Sequence, residues 1–261
     1  MTTATRMPAL FLGHGNPMNA IDPNRFHRGW QELGQRLPKP RALVCISAHW
    51  QTRGTAVTAA FHPETIHDFY GFPDELYRVR YPAPGDPQLA GEIARLLAAQ
   101  ATVRLDPTRG FDHGAWSVLS VMYPTPDIPL LQISLDTELS PAAHYRLGAA
   151  LAPLRDRGIL LVGSGNMVHH LGLFNFNNPT PYGWAQAFDQ KLQRLIRERD
   201  HQSLIDYRGL GDDAHLAIPT DEHYLPLLYT LAVQGQDEPA HFINAEVVSS
   251  VAMTSVLIGF P

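Results

Sequence analysis

The segment RALVCISAHW, residues 41–50, decides the fold class. Residues 42–47 are nearly all apolar, without the alternation expected of a strand that wets one face. Such a run suits a strand covered on both sides, as in a parallel sheet with helices above and below. Residues 9–12, 130–135 and 159–162 have the same character and are bounded by turn formers. Segments 57–59, 102–105, 242–248 and 251–258 are weaker β-type runs, suited to edge strands or an antiparallel pair.

Helical patterns fill the intervals. Asp22-Pro23, Asp86-Pro87 and Ser140-Pro141 each place a capping side chain before a first-turn proline. Behind them stand Phe26, Trp30, Leu33 and Leu37; Leu89, Ile93 and Leu96; and Tyr145, Leu147, Leu151 and Leu154. Gly158 closes the third pattern, and Phe188, Leu192, Leu195 and Ile196 mark a further helix beginning near Pro181. These stripes read as core. Alternating strands and helices, with no repeat or low-complexity linker, predict one α/β domain over residues 1–261. Its central sheet is expected to be mostly parallel or mixed and flanked by helices.

Composition narrows the chemistry. Lys and Arg number 20 against 25 Asp and Glu, a net charge of −5, so there is no basic excess to neutralise nucleic-acid phosphates. The single Cys excludes an internal disulfide and any multi-Cys zinc site. A bound metal would therefore rest on the 13 His and on carboxylates. The apolar run at 9–12 is too short for a secretory leader, and 251–260 is interrupted by Thr254, Ser255 and Gly259. The expectation is a cytoplasmic protein without a membrane span. No heptad or apolar patch declares an oligomeric interface.

The histidines supply the functional signal. In parallel sheets ligands gather outside the carboxyl ends of the strands. Three strong runs lead to histidine there: 9–12 into Gly13-His14-Gly15, 42–47 into Ala48-His49-Trp50, and 159–162 through Gly163-Ser164-Gly165-Asn166 to His169 and His170. Converging imidazoles with open positions suit Zn, Fe, Cu or Ni, and the glycines would let backbone approach a bound group. No nucleotide-loop pattern matches. His113, between Asp112 and Gly114 ahead of a short helix at 116–122, is either a general acid or base or a packing residue beside a capping Asp112. His223 follows Asp221 and Glu222, which either favour a helix start or complete a metal shell.

Residues 61–81, with His62, His67, Phe69, Tyr70, Phe72 and Tyr77, read either as a lid for a flat aromatic substrate or as a packed surface loop. Arg53, Arg78, Arg80 and Arg109 are candidates to meet a substrate carboxylate. His27, His144 and His201 read as solvated, His215 and His241 carry no assignment, and Cys45 reads as an inert buried thiol.

Five motifs in order carry a resemblance: MPALFLGHGNPMNA at 7–20, ISAHW at 46–50, GFDHGAW at 110–116, GSGNMVHHL at 163–171 and PTDEHYLPLLY at 219–229. Together they resemble the 4,5-DOPA extradiol dioxygenase family, a branch of the class III extradiol ring-cleavage dioxygenases. The resemblance implies a cytoplasmic non-haem enzyme that opens a catechol ring beside its hydroxyls, using O₂. It places metal ligands at His14, His49 and His169, with His223 as a fourth ligand or a catalytic partner, and the acid/base histidine at His113. Relatives outside this branch use two His and one Glu, for which Glu222 is the nearest carboxylate here. Fe(II) is the cofactor expected for oxygen chemistry, with Zn(II) as a possible inert occupant. The ligand chemistry alone also admits a zinc-dependent hydrolase using the same histidines, or a metal-free binding scaffold.

Overall fold

The computed structural model describes residues 6–260; the first five residues of the leader reading, and residue 261, lie outside the described residues. In chain order the elements are β1 (Ala9–Gly13), α1 (Arg25–Arg36), β2 (Ala42–Thr52), β3 (Thr55–Thr58), α2 (Asp74–Tyr77), α3 (Pro87–Leu97), β4 (Val103–Asp106) and α4 (His113–Met122). There follow β5 (Leu130–Asp136), α5 (Pro141–Ala150), β6 (Ile159–Gly165), α6 (Gly183–Glu198), α7 (His201–Ile205), α8 (Asp213–Ala217) and α9 (Leu225–Ala232). The last strands are β7 (Ala240–Ile243), β8 (Val247–Val248), β9 (Val251–Ala252) and β10 (Ser255–Ile258).

Eight strands form one mixed sheet in the order β4-β3-β5-β2-β6-β1-β10-β7. The four largely apolar runs are its centre, β5-β2-β6-β1, and are mutually parallel. The weaker runs are the flanks: β10 and β7 pair antiparallel on one side, and β3 meets β5 antiparallel on the other. Alternate side chains face opposite layers. Leu10, Leu12, Leu43, Cys45, Leu160 and Val162 pack with Trp30 of α1 and Trp116 of α4. Phe11, Val44, Ile46, Leu131, Ile133 and Leu161 pack with α3, α5, α6 and α9. Burying both faces is why the central strands need no polar alternation.

Asp86 and Ser140 cap α3 and α5 as their Asp-Pro and Ser-Pro signals imply, and Gly158 takes the left-handed conformation after a 3-10 turn. At α1 the cap moves: Asn24, not Asp22, accepts from the Phe26 and His27 amides, because helix starts two residues later than the Asp22-Pro23 signal suggests. The 242–248 and 251–258 runs each divide into two short strands. Of the three histidines expected in solvent, none is fully exposed, His27 and His201 being half-buried. His144 is fully buried, His27 bonds the Asn19 carbonyl, and His201 lies between Tyr145 and Gln234. His144 shares its helix face with Leu147, Gly148 and Leu151, so its spacing already placed it inward.

Candidate metal centre and active site

Neighbouring strands bring the site together. In the order β2-β6-β1, the carboxyl ends of β1 and β6 deliver His14 and, four residues beyond β6, His169. His49 sits inside β2 rather than in a loop after it. The β2–β5 pairing slips between Ile46 and Gln51, an irregularity of the kind that re-aims a side chain at a sheet rim. His113 is the first residue of α4, and His223 lies in the turn leading into α9.

Five imidazoles gather in two adjoining groups, His14 with His49 and His113, and His169 with His223 and Glu222, the possible ligand atoms of each group lying within 4.8 Å of one another. Ring centroids are 5.0 Å apart for His14–His49, 3.9 Å for His49–His113, 5.3 Å for His14–His223 and 5.0 Å for His49–His223. His169 stacks on His223 at 3.5 Å with an 11° interplanar angle. His14, His113 and His223 are buried, and His49 and His169 half-buried.

The glycines that seemed suited to ligand approach instead admit protein. A side chain at Gly165 would collide with the His223 carbonyl oxygen, which accepts the Asn166 amide at 2.9 Å. Gly163 makes the same room for Pro226, and Gly13 for the Met253 backbone. These close approaches seat His223 against the end of β6.

Hydrogen bonds behind the rings fix which nitrogen faces inward. Ser164 donates its one proton to the Gly114 carbonyl at 2.5 Å, so its oxygen can only accept from His14 Nδ1, 3.0 Å away. His14 therefore presents the Nε2 lone pair. His223 Nδ1 donates to Glu222 Oε1 at 3.0 Å, again leaving Nε2 free. Glu222 thus backs a histidine, and its neighbour Asp221 faces away, toward Tyr207 and Arg208. His14 Nε2 and His49 Nε2 stand 3.1 Å apart. Metal–nitrogen bonds of about 2.0–2.1 Å give ligand–ligand edges of roughly 3.0–3.4 Å, so this spacing fits a shared ion.

Burial, and then the neighbouring rings, push the His14 and His223 pKa values well below the ordinary imidazole value. Burial likewise lowers His49 and His169 to about 4. At pH 7 these rings are neutral donors, the form a metal requires. The donor set fits a metal ion.

The segment 61–81 reaches this centre. Phe69 meets the His113 ring nearly edge-on at 5.5 Å and packs with Tyr77 and Trp116. Tyr70 and Phe61 stand out in solvent. Within this segment sits Asp68, a site residue the sequence reasoning passed over. It is exposed overall, but its side chain turns inward, Oδ1 lying 3.0 Å from His113 Nδ1. Burial raises its pKa, yet the hydrogen bonding and charge of His113 outweigh that and hold it at about 2.

The capping reading of Asp112 holds, and His113 lies among the other histidines. Asp112 is fully buried and accepts from Ser47, Gln132, Ala115 and Arg109. Arg109 is thereby engaged, and lies over the Trp50 ring at 5.5 Å. Arg80 bonds backbone carbonyls of its own loop. His62, His215 and His241 are exposed, and Cys45 is buried with its thiol pKa raised by desolvation.

Residues 8–261 match the model of the family described as the catalytic LigB subunit of aromatic ring-opening dioxygenase. The chain belongs to the LigB family. It is 46% identical to the 4,5-DOPA dioxygenase extradiol of Escherichia coli K12, over 98% of this chain and 96% of that one. The protein of the same name from Beta vulgaris is 40% identical, over 90% and 89%. The crystal structure of an uncharacterized Escherichia coli K12 protein superposes with a TM-score of 0.85 at 43% identity, covering 97% of this chain and all of that one. The chain is thus an extradiol ring-cleaving dioxygenase, an oxidoreductase with a metal cofactor, acting on a small molecule with O₂. The comparisons give the hydrolase alternative no support. Among the described residues no helix is long and apolar enough to cross a membrane.

Proposed function

We propose that this chain, working as one catalytic domain in the cytoplasm, opens a DOPA-like catechol beside its two hydroxyls with Fe(II) as the working metal. His14, His49 and His223 would hold the ion, with His169 as the fourth ligand and His113 as the acid/base group. The observation that carries this reading is the ring of facing imidazoles whose outer nitrogens are engaged by Ser164 and Glu222. His223 reads as a ligand because Glu222 occupies its Nδ1 and leaves only Nε2 for the centre. The catechol is supported by relatives named for 4,5-DOPA and by the aromatic wall of Phe69 and Trp116.

Bound iron supplies the electron path between the diol and dioxygen, which zinc cannot. His113, 5.7 Å from His14 and 3.9 Å from His49 between ring centroids, stands where a substrate hydroxyl would meet it. Its ring takes the hydroxyl proton and returns it to the opened product. Phe69, backed by the buried Trp116, flanks this position with apolar surface that orients a flat ring and excludes water. The balance closes without a further reductant: one ring carbon–carbon bond breaks and both oxygen atoms enter a muconic semialdehyde.

The test is oxygen uptake by protein purified anaerobically and loaded with Fe(II), beside a Zn(II)-loaded sample, on a panel of catechols. Uptake with a new yellow product in the iron sample alone is expected. No uptake on any diol at stoichiometric iron overturns the reading.

A further inference from the structure

We infer that Asp68, carried into the site by the 61–81 segment, is the positioning residue that fixes His113 as the acid/base group. This rests on the catechol-opening role proposed for His113. Asp68 Oδ1 accepts the His113 backbone N–H at 2.9 Å and lies 3.0 Å from Nδ1 of the same ring; Oδ2 lies 3.7 Å from His49 Nδ1. An ionised carboxylate only accepts, so the ring nitrogen facing it carries the proton and the His113 Nε2 lone pair is turned to the substrate. The His113 Nδ1–H lies off the line to this oxygen at 3.0 Å, so the pairing requires the ring to rotate toward Asp68.

The loop is built to hold this carboxylate in place. Phe111 donates its amide to Glu64 and Ile66 donates to Phe111, both at 2.7 Å, while Thr65 and Phe111 form a parallel bridge. Trp116 Nε1 donates to the Ile66 carbonyl at 2.8 Å, and Tyr81 N to Thr65 Oγ1 at 2.9 Å. Gly110 permits the pairing, since a side chain there would collide with the Glu64 carbonyl. Residues 64–66 are therefore pinned beside 110–111 through a single bridge, and Asp68 follows two residues on. Asp112 cannot take the role, because its oxygens already receive four donors.

The experiment compares wild type with Asp68→Asn and Asp68→Ala. In metal-free protein carrying ¹⁵N-histidine, long-range proton–nitrogen NMR should show the Nδ1–H form of His113 in wild type and a gain of the Nε2–H form in Asp68→Ala. In Fe(II)-loaded protein, both variants should keep full metal content and a catechol KM within about threefold, while kcat falls by roughly 10²–10⁴-fold. Added formate should restore part of the Asp68→Ala rate and none of the Asp68→Asn rate. Variants with kcat near wild type, an unchanged tautomer, or a loss explained by missing metal would each overturn the assignment. Wild type inactive on every catechol, with the tautomer still answering to Asp68, would fail the functional reading and leave the Asp68–His113 pairing standing.

Discussion

Two kinds of buried histidine occur in this molecule. His144, on α5, is satisfied at both ends: Tyr229 Oη lies 2.9 Å from Nδ1 and the Asp136 carbonyl 3.1 Å from Nε2. The carbonyl only accepts, so Nε2 carries the proton and Nδ1 receives the tyrosine hydroxyl. His14 and His223 are as deeply set, but Ser164 and Glu222 engage only their Nδ1 atoms, and His14 Nε2 meets nothing but the facing Nε2 of His49 at 3.1 Å. Burial lowers the pKa in both kinds, so desolvation does not separate a structural imidazole from a functional one. The remaining inward nitrogen does.

That contrast can be broken at either end. His14→Ala and His223→Ala should abolish metal loading and oxygen uptake together, and elemental analysis showing one bound metal in either variant would remove that residue from the ligand set. His113→Ala should keep its metal and lose roughly 10²–10⁴-fold in kcat; metal loss there would make His113 a ligand. Ser164→Ala leaves His14 Nδ1 without its acceptor, and metal affinity should weaken by about 10–100-fold in a competition titration with a chelator. His144→Ala should lower stability by about 1–3 kcal/mol, because the Tyr229 hydroxyl and Asp136 carbonyl lose their partner in the core. Its turnover per folded molecule should match wild type, and a specific loss of activity would contradict the structural role.

The smallest effect is one of pH. His49 and His169 titrate near 4 when folded against 6.5 as free side chains, so between those values the unfolded chain binds more protons. Stability of the metal-free protein should thus be complete above about pH 6.5 and decline as pH falls toward 4. Bound metal competes for the same lone pairs and should move that decline to lower pH. Equal melting temperatures at pH 7.5 and 5 for the metal-free chain would contradict the neutral-ring account.

Much of the site was legible because its signals are local. His14 follows its strand directly, and Asp112 at a helix start is a capping signal. Other features were not. His49 was legible as a candidate ligand, but the sequence placed it after its strand, whereas it lies within β2 where the β2–β5 register slips. Gly163 and Gly165 could be seen to demand a close approach, but what approaches is the turn at His223–Pro226, some 60 residues on. Asp68 stands beside Phe69 and Tyr70 with no pattern to set it apart from any loop aspartate. Gly110, where a side chain would meet the Glu64 carbonyl, is the one local hint that something passes close to 110–113.

The sequence by itself determined the doubly covered central strands, most of the helix starts and the family. These follow from residue patterns that act over a few neighbours or recur in fixed order. Only the tertiary structure decided that His14, His49, His113, His169 and His223 meet, and which nitrogen each of His14 and His223 presents. Strand order 2-6-1 sets residues more than a hundred positions apart at the spacing of adjacent strands. A tautomer is fixed by the acceptor behind the ring, and here Ser164 and Asp68 are supplied by segments distant in sequence from the histidines they serve.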